Sequence, residues 1–263
     1  MSTQSIAFSA WQYQGRLWRK ARLWFSPLVL LLIWFQVCRT GFFPEQILVS
    51  PGVVLETFRE LWVSGELQEH LGKSLYRLAL GFVLGVVLGI TFGVGMGLSK
   101  TVERLFSPFF NAIRQVPSIA FIPMFILIFG VEETFKIVIV LKAAFFPVAL
   151  AAYDAVKGIP QRFVEVAKVY RLPTRHLVSK LVLPSTVPPI LTGMRLSLTR
   201  AWIVLVAAEL LAADSGLGQM MEMGRQMFRI DVVMVGVILT GVVGFVLDRG
   251  CQWIERHLVR WNT

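Results

Sequence analysis

Six long apolar runs recur along this chain, at about residues 26–38, 74–98, 106–129, 135–153, 190–213 and 232–254. A helix needs about 20 mostly apolar residues to cross the hydrocarbon core of a bilayer. All but the first run approach or exceed that length, and the first is extended by starting near Leu23. In lipid every backbone N–H and C=O must be paired within the structure, which leaves helices or closed barrels as spanning elements. Barrel strands alternate apolar and polar residues, whereas these runs are continuous. The chain is 56% hydrophobic and only 16% charged, against about 25% charged residues in an ordinary soluble domain. The expected fold is therefore all-α and integral to a membrane, with six transmembrane helices.

The runs are punctuated in ways that predict their packing. Gly81, Gly85, Gly89, Gly93 and Gly97 fall four residues apart in the second run, which gives a flat helix face that a neighbour approaches closely. Pro117 and Pro123 interrupt the third run, and Pro147 lies inside the fourth. Between the first two runs, Ser50-Pro51 starts a helix with proline at its first position. Val54, Leu55, Phe58, Leu61 and Trp62 then recur at helical spacing, as in an amphipathic helix lying on the outer face.

Charge assigns sides. The formal net charge is +10, which in a membrane protein reflects basic cytoplasmic loops and not nucleic-acid binding. Lys and Arg concentrate in residues 1–25, at Lys100 and Arg104, between Lys157 and Arg195, and at Arg249, Arg256 and Arg260. Glu132-Glu133 and the acidic stretch from Glu45 to Glu69 fill the alternate loops. Both termini and residues 154–189 are thus expected on the cytoplasmic side. Residues 1–25 lack a short apolar core with a cleavage site and carry Trp11, Trp18 and several Arg, as an interfacial segment would. Residues 26–263 are expected to form the transmembrane domain, with a cytoplasmic loop at about 154–189. Cys38 and Cys251 lie far apart in apolar surroundings, and His70, His176 and His257 are scattered, so no metal site is expected.

A polar, basic stretch from Glu165 to Trp202 stands out within this apolar chain, as a helix-forming island offered to a soluble partner. Glu165, Ala167, Leu183-Pro184, Pro188, Gly193, Arg195 and Ala201-Trp202 resemble the coupling-loop motif of binding-protein-dependent ATP-binding-cassette importers. Val166 replaces the middle alanine of that motif. Arg171 takes the glycine position, and Pro173 then ends the first helix. The resemblance continues through Ser64-Gly65-Glu66-Leu67, Ser74-Leu75-Tyr76-Arg77, Arg114-Gln115-Val116-Pro117, Phe129-Gly130, Phe145-Phe146-Pro147, Ala208-Glu209 and Ser215-Gly216-Leu217-Gly218. These pieces look like the branch that moves aliphatic sulfonates, taurine, nitrate or bicarbonate.

The resemblance implies a type I importer permease subunit in the bacterial inner membrane, working as two copies. Its partners would be cytoplasmic ATP-binding subunits and an extracytoplasmic substrate-binding protein. Glu165, Ala167, Arg171, Leu183, Pro184 and Gly193 would make the ATPase-coupling contact. Ser215-Gly216-Leu217-Gly218 would meet the binding protein, or be a glycine-rich turn only. Sulfonate or taurine is the preferred substrate, because Phe129-Gly130-Val131-Glu132 resembles that sub-branch; nitrate or bicarbonate is the alternative.

This chain is not expected to be an enzyme or to bind a cofactor. Gly95-Met96-Gly97-Leu98-Ser99-Lys100-Thr101 has Ser99 and Val94 where a phosphate-binding loop needs glycine, so ATP-Mg belongs to the partner subunit. An ion-coupled secondary transporter is the competing class, but inverted repeats are not evident and such a protein has no use for a coupling loop. Arg114 and Lys142 lie inside the third and fourth runs, where a charge costs about 2.5–3.5 kcal/mol. Both are candidates for the substrate pathway, together with Glu209. Pairing with acids such as Glu209, or snorkelling, is the alternative reading of the two cations.

Overall fold

The computed structural model describes residues 48–160 and 183–258, most of 25–41, and the single positions 44, 165 and 173. Among these, nine α-helices carry the fold. They are α1 (Pro27–Arg39), α2 (Pro51–Val63), α3 (Glu66–Leu98), α4 (Lys100–Gln115), α5 (Ile122–Phe129), α6 (Glu133–Lys157), α7 (Leu183–Ala212), α8 (Leu217–Gln226) and α9 (Ile230–Leu258).

Four of these helices, α3, α6, α7 and α9, are long and apolar enough to cross a membrane. The 33 residues of α3 make it about 50 Å long at 1.5 Å per residue, so it reaches beyond the bilayer core. The expected second span is its later part, and the expected outer amphipathic helix is α2. Gly65 separates the two at φ 83°, a left-handed conformation that glycine adopts without strain.

The expected third span is broken. Val116 is extended (ψ 121°) because the ring of Pro117 disfavours the helical conformation in the residue before it. A 3-10 turn over Ser118–Phe121 leads into α5, with Pro123 in its first turn, where a missing N–H costs nothing. The two halves are bent by 93°. Counting the bent pair as one span gives five candidate spans; α1 is a shorter apolar helix whose expected start at Leu23 lies outside the described residues.

α6 packs between α3 and α7 and forms the centre of the molecule. The glycine face of α3 makes the first of these contacts. A Cβ on Gly81 would come within 2.7 Å of the Ile137 carbonyl, on Gly85 within 2.7 Å of that of Leu141, and on Gly89 within 2.9 Å of that of Phe145. Gly93 meets the Ala149 carbonyl and Gly97 meets Val156. The partners advance by four residues in step with the glycines, as expected for two helices in close contact along a small-residue stripe. On the opposite side of α6, Gly193 of α7 lies directly against the Ala151 side chain. α7 begins seven residues before the expected fifth span. Residues 183–212 therefore form one helix, and much of the polar island after Leu183 is part of a span. Trp202 there is buried and donates its Nε1–H to the Thr240 carbonyl of α9 at 3.1 Å.

Candidate functional site

Two constellations form where these helices meet. The first lies where α3, α6 and α7 converge near the Ser215–Gly218 segment. Arg77 is wholly buried on α3 and engages all five of its N–H donors. Its Nε and Nη2 grip both oxygens of Glu133 at 2.6 Å. Nη1 donates to Glu209 at 2.7 Å and to the Ser215 carbonyl at 2.6 Å, while Nη2 also reaches Ser215 Oγ at 2.7 Å. Such forked, charge-assisted contacts are strong and geometrically specific.

Glu209 is equally buried. It accepts from Ser74 Oγ at 2.8 Å and from the Gly218 N–H at 3.1 Å. Ser74 Oγ accepts from the Leu217 N–H, and the Gly216 N–H donates to His70 Nδ1 at 3.0 Å. Gly216 has φ 111°, and a side chain there would collide with the Glu209 carboxylate and the Arg77 guanidinium. Lys136, also buried, lies 3.5 Å from Glu133. The glycine-rich segment is thus pinned by an ionic knot, with Lys136 and Arg77 offsetting Glu133 and Glu209. Just beyond it on α8, hydrogen bonds from Arg225 hold the Glu222 carboxyl down at about 2.

The second constellation is a cleft of about 460 Å³ at the break between α4 and α5, closed by α6 and α7. Arg114, Lys142 and Arg200 all line it. Lys142 is 8% exposed. Its ammonium lies 3.9 Å from the centre of the Phe121 ring and 5.3 Å from that of Phe146, with Ser118 Oγ at 3.4 Å. Aromatic faces attract cations in this way. Arg114 donates to Asn111 at 3.0 Å. Among the described residues no carboxylate pairs with Arg114, Lys142 or Arg200.

Arg114 and Lys142 therefore share one cleft, whereas Glu209 lies outside its lining, in the ionic knot. Sequence reasoning does not single out Arg200. Its signal is the same as that of Lys142, a charge within an apolar run, but it falls inside the polar island. Arg77 is visible in sequence only as part of a motif; an arginine and a glutamate in two separate apolar runs are the sign of a buried pair. Glu165 is exposed and Pro184 is exposed on the first turn of α7. Ala167 and Arg171 lie outside the described residues, as does the Leu183 side chain.

At the opposite end of α6 from the knot, Glu103 of α4 accepts from Lys157 at 2.6 Å and Tyr153 at 2.5 Å. Arg195 of α7 pairs with Asp248 of α9 at 2.6 Å. Both ends of the bundle are thus tied by ion pairs.

Residues 85–260 match the family described as the binding-protein-dependent transport system inner membrane component. The chain is 39% identical to the "Putative aliphatic sulfonates transport permease protein SsuC" of Bacillus subtilis, over 94% of this chain and 88% of that one. The protein of the same name from Escherichia coli is 38% identical, covering 91% of each chain. The taurine transport system permease protein TauC of Escherichia coli is 34% identical over 89% of this chain and 87% of its own. Among solved structures, an inward-facing conformation of the MetNI methionine ABC transporter superposes with a TM-score of 0.61 at 20% identity, covering 75% of this chain and 98% of that one. That likeness shows the type I importer fold. The chain belongs to the family of binding-protein-dependent inner membrane transport components, as a multi-pass permease subunit whose ATP hydrolysis resides in separate subunits.

Proposed function

We propose that this permease imports aliphatic sulfonates or taurine. The observation that carries the reading is the likeness to SsuC and TauC proteins at 34–39% identity over 89–94% of the chain. Two copies form the pathway, with a binding protein delivering substrate to the outer face and ATP-binding subunits, which hold ATP-Mg, below. The pathway alternates between outward and inward openings. Residues 1–25, both termini and residues 154–189 are cytoplasmic in this reading, because the basic residues gather there. Glu165, Ala167 and Arg171 contact the ATPase, in the stretch of chain that leads to Leu183-Pro184 at the start of α7.

Growth of a deletion strain tests the substrate. With taurine or an alkanesulfonate as sole sulfur source, growth should stop and be restored by the wild-type gene, while growth on sulfate is unaffected. Normal growth on every sulfonate, in a strain without a second sulfonate importer, would overturn the substrate reading and leave the family intact.

A further inference from the structure

We propose that the cleft at the α4–α5 break is a substrate subsite for a monoanion with a short apolar tail, with Lys142 as its specificity-determining cation. The proposal rests on the anion-importer reading and adds a place for selectivity within this chain.

Lys142 stands nine residues into α6, about 13 Å along the helix from its first residue, and so at membrane depth. A charge at this depth is costly and marks a functional pathway by default. Lys142 is more than nine-tenths buried, yet among the described residues its one hydrogen bond is to a hydroxyl at 3.4 Å. An ammonium carries three donors, and Ser118 accounts for one of them. Two phenylalanine faces hold it in place without neutralising it. Arg114 and Arg200 add two more positive charges on the same cleft. A structural ion pair would include a carboxylate, as Arg77, Arg195 and Lys157 each do. A mobile anion is the partner whose charge suits this cluster.

The rest of the wall defines the tail. Ile119, Phe146, Leu150, Ile203 and Val204 line the same space, and its volume falls in the range of about 300–1,000 Å³ typical of small-molecule sites. A small inorganic dianion gains nothing from these apolar groups and remains costly to dehydrate. A sulfonate with a short alkyl chain satisfies both halves, with its oxygens on the cations and its tail on the aliphatic wall.

The test uses the whole transporter, with this chain, its ATP-binding subunits and its binding protein in proteoliposomes. Sulfonate imported per ATP hydrolysed is measured at saturating binding protein, for a series from methanesulfonate to hexanesulfonate. In Lys142→Met, ATP hydrolysis stimulated by the loaded binding protein should persist while import per ATP falls about tenfold, the scale of one charge-assisted hydrogen bond. Lys142→Arg should recover most of that loss, which a packing role does not predict. Leu150→Ser should flatten the dependence on chain length. Thermal unfolding provides a second readout: losing an unpaired buried charge should leave Lys142→Met at least as stable as wild type. Import per ATP within twofold of wild type in Lys142→Met, with an unchanged chain-length profile, would overturn the subsite alone. Failure of the wild-type complex to import any sulfonate would overturn the sulfonate reading and the subsite with it, and leave the family intact.

Discussion

Arg77 and Glu209 illustrate how single side chains fix the position of a loop. Both are wholly buried, and among the described residues their charges are balanced by one another, by Glu133 and by Lys136. Removing one member of a buried pair strands the other and costs about 3–5 kcal/mol. Arg77→Met should therefore lower the thermal stability of the detergent-solubilised complex sharply, because Glu209 is left buried without a cation, with only the neutral donors Ser74 and Gly218. Adding Glu209→Gln should return part of that loss, since no stranded carboxylate remains. Effects that simply add, to within about 0.5 kcal/mol, would show that the two residues are not coupled. The residues of this knot are present in the sequence as separate fragments, Ser74 to Arg77, Ala208-Glu209 and Ser215 to Gly218. Their convergence is not legible there, because stretches around residues 74–77, 133–136 and 209–218, far apart in the chain, supply the parts. Lys142 and Arg114 are legible as misplaced charges, since the cost of a cation in lipid depends only on the apolar run around it.

The α3–α6 seam shows the same contrast between helices. A spacing of four residues declares a flat face on α3, but nothing in it names the helix that covers the face. The structure supplies α6, whose carbonyls at Ile137, Leu141 and Phe145 sit where glycine side chains would begin. Backbone atoms cannot rotate away. Gly85→Ala should therefore push the helices apart and cost about 1–3 kcal/mol, the scale of overpacking. Gly95 is the internal control. It lies in the same helix, and a Cβ added there would meet no atom within 4 Å, so Gly95→Ala should be neutral or stabilise by up to about 1 kcal/mol. Melting temperatures of the two variants, purified in parallel, decide the matter; equal shifts would mean that the seam does not need its glycines. The break at Pro117 is likewise legible as an interruption, whereas its 93° angle is not. Proline removes a hydrogen bond and bars helical geometry before it, but the packing of α5 against α6 sets the direction in which the chain continues.

At the scale of the whole molecule, the same two helices connect every functional part. α6 carries Glu133 of the knot and Lys142 of the cleft; α7 carries Arg200 of the cleft and Glu209 of the knot. The stretch that joins them runs from Gly158 to Val182 and contains Glu165. In the proposed reading, an ATPase push on that stretch acts on the ends of the two helices that frame the cleft and reaches the knot through them. Rigid packed helices transmit such displacements as rotations or shear, because tight seams slide or tilt more readily than they compress. Glu165 is exposed, and in the proposed reading its carboxylate meets a cation on the ATPase. Glu165→Arg should reduce co-purification of the ATP-binding subunits by about tenfold or more, the effect of breaking a desolvated interfacial charge pair. The knot and the cleft are far from this position along the chain, so membrane insertion and the thermal stability of the permease itself should stay at wild-type levels. Full recovery of the ATPase with Glu165→Arg would move the coupling contact elsewhere in the 158–182 stretch. Loss of the permease together with the ATPase would instead assign Glu165 to the fold.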